Sequence, residues 1–205
     1  MSHSAPNPTA PLARLPLPAR TTLRTVFLDR DGVINRKLPE GEYVSSLDRF
    51  TLLPGVPQAI ARLNLAGLRV LVVTNQRGVA LGKYSLSTIG SLHAHLAQLL
   101  STHGATIDAF YVCPHDKAAC DCRKPAPGLF LQAQRQFPQI NPATSVLIGD
   151  SYSDILFGAQ LGIATIFIEG DPTHRKPGAE KALTLATATA PDLPAAISLL
   201  LDEPA

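Results

Sequence analysis

Thr25-Val-Phe-Leu-Asp-Arg-Asp-Gly-Val-Ile34 is the stretch that decides the fold. Its first four residues are β-branched or apolar, and they stop abruptly at Asp29, which is followed by Asp31 and Gly32. A short apolar run bounded by turn residues reads as a buried strand, and a glycine just past it lets the chain turn sharply. The same pattern recurs downstream. Arg69-Val-Leu-Val-Val73 runs into Thr74-Asn75, Ala109-Phe-Tyr-Val112 into Cys113, and Val146-Leu-Ile148 into Gly149-Asp150. Ala164-Thr-Ile-Phe-Ile168 is a fifth run.

Helical patterns separate these strands. Residues 57–66 carry Ile60, Leu63 and Leu65 and stop at Gly67. Residues 85–103 place Leu86, Ile89, Leu92, Leu96 and Leu99 on one face, with Ser85 or Ser87 as the cap. Residues 127–137, 153–161 (closed by Gly162) and 193–201 are the remaining helices. Strands alternating with helices predict an α/β fold, a mainly parallel sheet with helices on both faces. In such sheets ligands bind beyond the carboxyl ends of the strands. Asp29, Thr74, Cys113 and Asp150 all fall at those ends, from four different strands.

The chain has 205 residues, enough for one domain with a proper core. Pro6, Pro8, Pro11, Pro16 and Pro18 forbid a regular helix at the start, so residues 1–22 are expected to be a flexible Pro-rich tail and residues 23–205 the domain. Low complexity is confined to that tail and to an Ala/Thr-rich stretch near 182–190. A net charge of +2 with no Lys/Arg block points away from nucleic acid, and no apolar run approaches the roughly 20 residues of a membrane span. The N-terminus lacks the continuous apolar region of a secretory signal. Three cysteines within ten residues, at 113, 120 and 122, make a poor disulfide framework. They fit a metal site in a reducing cytoplasm better.

Four elements carry chemistry, and each has a plain alternative. Asp29 and Asp31 suit a hard divalent cation, or an ordinary Asp-Gly turn. Thr74 can donate to a phosphoryl oxygen, although Thr-Asn after a strand is usually turn chemistry. Lys124, in Arg123-Lys-Pro125, can neutralise a bound phosphate and the carboxylate attacking it, or be a solvated basic turn. Asp150 and Asp154 suit a metal ligand and its support, and Asp154 is equally a good charge for a helix N-terminus.

The ordered set is more specific than its parts. Asp29 and Asp31, then Thr74, then Lys124, then Asp150 and Asp154 resemble the four motifs of the haloacid-dehalogenase-like phosphatase superfamily, over residues 24 to 170. Phe27-Leu-Asp-Arg-Asp-Gly-Val-Ile-Asn35, Tyr43-Val44, Thr74-Asn-Gln76, Cys113-Pro-His115 and Cys120-Asp-Cys-Arg-Lys-Pro125 are similar to one branch of it. That branch holds the D,D-heptose 1,7-bisphosphate and histidinol-phosphate phosphatases.

The resemblance implies a single Rossmann-like doubly wound sheet with no large cap domain. It implies Asp29 as nucleophile and Asp31 as general acid and base, with Thr74 and Lys124 clamping phosphoryl oxygens. Magnesium is expected on the Asp29 carboxylate, the Asp31 backbone carbonyl and Asp150, with Asp154 orienting Lys124 or the metal shell. Asn75, Gln76 and Arg123 are expected on the substrate side, and Arg77 and Lys83 are weaker candidates for a remote phosphate. The substrate is expected to be a small phosphorylated metabolite, a heptose bisphosphate ahead of histidinol phosphate, and the protein a cytoplasmic monomer.

Cys113, His115, Cys120 and Cys122 form a second constellation. They supply the four ligands tetrahedral zinc prefers and leave no open position, so a structural staple on the loop carrying Arg123 and Lys124 is expected. Three free thiols and a chance histidine are the plain alternative. A zinc-stapled binding module without catalysis is the alternative of a different class, and the intact Asp29, Asp31, Lys124 and Asp150 set argues against it. His3, His93, His95, His103 and His174 receive no role.

Overall fold

The computed structural model describes residues 12, 14–170 and 177–202. Six parallel strands form one sheet in the order β3-β2-β1-β4-β5-β6. They are β1 (Thr25–Leu28), β2 (Arg69–Asn75), β3 (Ala109–Cys113), β4 (Ser145–Gly149), β5 (Ala164–Ile168) and β6 (Ala188–Ala190). The helices are α1 (Val56–Leu65), α2 (Leu86–Ser101), α3 (Gly128–Gln136), α4 (Tyr152–Leu161), α5 (Ala179–Leu185) and α6 (Leu193–Leu201).

Strand side chains alternate between two cores, as a period of two requires. Val26, Leu28, Val70, Val72, Val146 and Ile148 face Ile60 of α1, Leu92 and Leu96 of α2 and Ile197 of α6. Phe27, Leu71, Val73 and Leu147 face Leu129 and Phe130 of α3 and Phe157 of α4. The central strands are buried on both faces, which is why they read as unbroken apolar runs. This is the expected doubly wound sheet, with no large cap domain among the described residues.

Local signals set the helix ends. Ser85, rather than Ser87, caps α2: its Oγ accepts from Thr88 N at 3.1 Å, and the Thr88 hydroxyl accepts from Ser85 N. Gly162 closes α4 at φ +73°, in the left-handed region that glycine tolerates best.

Two parts of the architecture differ from the sequence reading. The stretch near 182–190, read as Ala/Thr-rich low complexity, falls in the end of α5 and in β6. A three-residue Ala-Thr-Ala strand has no apolar alternation to detect. It exists because its backbone pairs with β5, from Ile166–Ala188 to Ile168–Ala190. The second difference is at the expected tail, of which residues 1–11 and 13 lie outside the described residues. Residues 14–22 are not detached from the body: Leu15 and Leu17 pack on the larger core. The Arg14 guanidinium donates to the carbonyls of Leu183 and Thr184 at 2.7 and 2.8 Å, in the last turn of α5. Proline forbids a helix here, but it leaves an extended chain free to lay leucines on apolar surface.

Candidate active site

β1 lies between β2 and β4, and from it the strand order steps outward through β2 and β3 on one side and through β4, β5 and β6 on the other. Such a topological switch point opens a crevice beyond the strand ends. Asp29 follows β1 directly, and its N–H donates to Ile148 O at 2.9 Å, fixing the turn against β4. Gly32 sits at φ +95°, and a Cβ there would fall 2.4 Å from Asp150 Oδ2. Only glycine lets the backbone after the first carboxylate approach the last one this closely. Carboxylate oxygens of Asp29, Asp150 and Asp154 lie within 4.8 Å of one another. These are hard, anionic oxygen donors, which a divalent cation such as Mg2+ requires.

Lys124 holds this acidic cradle together. Its Nζ lies 2.9 Å from Asp29 Oδ1 and 2.6 Å from Asp154 Oδ1, and donates to Val73 O at 2.6 Å. Burial opposes the ammonium charge, but Asp154 and Asp29 outweigh it and push its pKa above the ordinary lysine value. Asp154 thus pairs with Lys124, and it also accepts from Ser151 N and Oγ at 3.1 and 2.5 Å. On the far side, Lys37 Nζ lies 2.8 Å from Asp150 Oδ2.

The Asp31 carboxylate is turned to different neighbours. Arg30 Nη2 donates to Oδ1 and Oδ2 at 2.9 and 2.8 Å, Asn35 Nδ2 to Oδ1 at 2.9 Å, and Gln76 Nε2 to Oδ2 at 2.8 Å. Burial pulls this carboxyl upward, yet the Arg30 charge and the bonds from Asn35, Arg30 and Gln76 bring it below the usual carboxylate value. Thr74 is buried at the end of β2, where its Oγ1 accepts from Gln76 Nε2 at 2.8 Å.

Two side chains expected on the substrate side bond other residues of the site. Gln76 is buried, bonded to Asp31 and Thr74, and its Oε1 accepts from the Tyr84 hydroxyl at 2.6 Å. Asn75 bonds the Lys124 backbone. Burial pushes the Tyr84 phenol up to about 12, so it stays a donor. Arg30, Lys37 and Tyr84 were missed in the sequence. Arg30 had a legible signal, since an arginine between two buried carboxylates can reach one of them. Lys37 and Tyr84 had none, because loops bring them in.

Cys113, His115, Cys120 and Cys122 do converge. Sγ–Sγ distances are 3.5 Å for Cys113–Cys120 and 3.3 Å for Cys120–Cys122, and His115 Nδ1 lies 3.2 Å from Cys122 Sγ. Tetrahedral thiolates on zinc stand about 3.7 Å apart, given Zn–S of about 2.3 Å. The donor set and its spacing fit such an ion. Arg123, directly after it, is half-buried and donates to His115 O at 3.5 Å. Arg77 pairs with Asp116 of the same loop.

A family model described as HAD-hydrolase-like matches residues 121–196. The D-glycero-beta-D-manno-heptose-1,7-bisphosphate 7-phosphatase of Bordetella bronchiseptica is 35% identical over 182 residues, 88% of this chain and 99% of that protein. The D-glycero-alpha-D-manno-heptose-1,7-bisphosphate 7-phosphatase of Mycobacterium tuberculosis is 44% identical over 131 residues, 63% of this chain and 68% of that one. A crystal structure of D,D-heptose 1,7-bisphosphate phosphatase from B. bronchiseptica, complexed with magnesium and phosphate, matches with a TM-score of 0.78 at 33% identity, covering 89% of this chain and 100% of that one. With near full-length relatives of this kind and the acidic cradle at the switch point, the chain belongs to the HAD-like hydrolases, in the family of the heptose-bisphosphate phosphatases.

Proposed function

We propose that this chain removes the 7-phosphate of a D-glycero-D-manno-heptose 1,7-bisphosphate through an aspartyl-phosphate on Asp29. The observation that carries this reading is the Asp29 carboxylate held 2.9 Å from the buried Lys124 ammonium, beside Asp150 at the sheet's switch point. The relatives' names supply the substrate class.

In the first half-reaction an Asp29 oxygen attacks phosphorus and the bond to the sugar oxygen breaks. Asp31 gives that oxygen its proton. Arg30, Asn35 and Gln76 hold the Asp31 carboxyl in place, and the proton it gives up in the first half-reaction returns to it from water in the second. In the second half-reaction Asp31 removes a proton from water, which attacks phosphorus, releasing phosphate and restoring the Asp29 carboxylate. Lys124 offsets the charge of Asp29 and of the phosphoryl oxygens, and the Thr74 hydroxyl donates to one of them.

The Asp29 and Asp150 carboxylates, with the Asp31 backbone carbonyl, would hold Mg2+, which neutralises phosphoryl charge when bound. Cys113, His115, Cys120 and Cys122 would hold a structural Zn2+ that fixes the loop bearing Arg123 and Lys124. Arg123 is the proposed partner of the phosphate that is not cleaved, through charge-assisted bonds that a monophosphate cannot use. A monomer in the reducing cytoplasm, where the thiols stay available as ligands, completes the proposal.

Phosphate release from the heptose 1,7-bisphosphate, its 1- and 7-monophosphates and histidinol phosphate tests the reading. The bisphosphate should have the highest kcat/KM, Asp29→Asn should lower turnover on the order of 10^3-fold or more, and Arg123→Ala should erase much of the bisphosphate preference. A tenfold advantage for histidinol phosphate transfers the proposal to that substrate. No magnesium-dependent release from any phosphate ester leaves a binding module.

A further inference from the structure

The cradle holds more negative charge than its buried lysine offsets. Asp29, Asp150 and Asp154 bring three carboxylates within 4.8 Å of one another, and Lys124 contacts two of them, Asp29 and Asp154. Arg30, the other buried cation nearby, has its guanidinium on Asp31. Among the described residues Lys37 pairs with Asp150, with Nζ 2.8 Å from Oδ2 and side-chain exposures of 17% for Lys37 and 8% for Asp150. A pair so little exposed is weakly screened.

The two lysines are anchored differently. Lys124 is 1% exposed, and Asn75 clamps its backbone. Lys37 reaches in from the loop after β1, on a flexible four-carbon stem. Asp150 is a ligand proposed for the divalent ion. Mg2+ binds carboxylate oxygen at about 2.0–2.1 Å, and an ammonium in contact with the same carboxylate repels it.

We infer that Lys37 is the resident counter-ion of the metal-free cradle, displaced from Asp150 when the divalent ion enters, and so sets the affinity for that ion. The inference rests on the reading of the cradle as the magnesium site. Its energetics are those of linkage. The Lys37–Asp150 pair stabilises the state without magnesium and is lost in the state with it. Removing Lys37 should therefore destabilise the first and strengthen binding in the second by the same amount.

The test is Mg2+ titration calorimetry on the full chain, dialysed free of magnesium without a chelator that would strip the cysteine loop, alongside melting curves with and without Mg2+. Lys37→Met should bind Mg2+ about three- to tenfold more tightly than wild type at low ionic strength. Its Tm without Mg2+ should fall, and its gain in Tm on adding Mg2+ should exceed that of wild type. Lys37→Arg keeps the charge and should behave like wild type, which also controls for disturbance of the loop. Equal or weaker Mg2+ binding by Lys37→Met, with wild type binding normally, overturns the role of Lys37 alone. Absence of Mg2+ binding to wild type overturns the magnesium reading of the cradle and the inference with it.

Discussion

Asn75 and Lys124 stand 49 positions apart and are joined twice: Asn75 Nδ2 donates to Lys124 O at 3.1 Å, and Lys124 N donates to Asn75 Oδ1 at 3.0 Å. A side-chain amide has one donor face and one acceptor face, and here both go to the backbone of a single residue. The clamp fixes where the lysine backbone leaves the cysteine loop, and therefore where its ammonium meets Asp29.

Asn75→Ala removes both bonds. Stability should fall by about 1–3 kcal/mol in urea denaturation. Displacement of the ammonium should lower kcat by about 10- to 100-fold, with a smaller change in KM. A variant with wild-type kcat would show that the clamp does not position Lys124.

Arg30 lies against Asp31 and favours its carboxylate form. Burial favours the neutral carboxyl, and the Arg30 charge is the largest of the effects that reverse it. Because the folded-state pKa lies below the unfolded one, this interaction contributes stability above the unfolded carboxylate pKa of about 3.9 and loses it as pH falls through the folded value. Arg30→Lys should raise the Asp31 pKa, since a point charge replaces a bidentate fork. Carboxyl-carbon NMR of the Asp31 titration measures it directly, and an unmoved titration would contradict the assignment.

His93 is buried, stacks on Phe110 at 4.2 Å between centroids, and its Nε2 has no hydrogen-bond partner among the described residues. Burial first, and then the nearby Arg30 charge, lower its pKa from 6.5 to about 4. The unfolded chain therefore binds a proton that the folded chain does not between these values. Stability should drop as pH falls from about 6.5 to about 4, by up to roughly 3 kcal/mol. In His93→Phe that part of the pH dependence should flatten, which melting curves across pH 4 to 7 will show.

The cysteine loop should contain metal. Protein purified without added metal should hold about one zinc per chain by elemental analysis. Cys120→Ser should reduce that content and, by loosening the loop before Arg123 and Lys124, lower both Tm and turnover. Metal-free protein with wild-type stability would leave four unliganded side chains and no staple.

Much of this protein was legible in the sequence because it is local. Central strands buried on both faces must be continuous apolar runs, and a parallel sheet places its polar chemistry at their carboxyl ends. Asp29, Thr74, Cys113 and Asp150 could thus be placed at one edge from the sequence, the resemblance added Asp31, Lys124 and Asp154, and the paired spacings of Cys113, His115, Cys120 and Cys122 announced a four-ligand cluster. Tertiary structure decided which partner each polar group has. Gln76 looked outward in sequence and faces Asp31 in space, because the turn after β2 folds back over it. Lys37 reaches Asp150 across 113 positions, β6 exists only as a backbone partner of β5, and Leu15 and Leu17 lie on a core that their Pro-rich surroundings do not advertise. Apolar periodicity reports which face of an element is buried. Hydrogen bonds and ion pairs are short and directional, and they depend on distances that exist only after the chain has closed on itself.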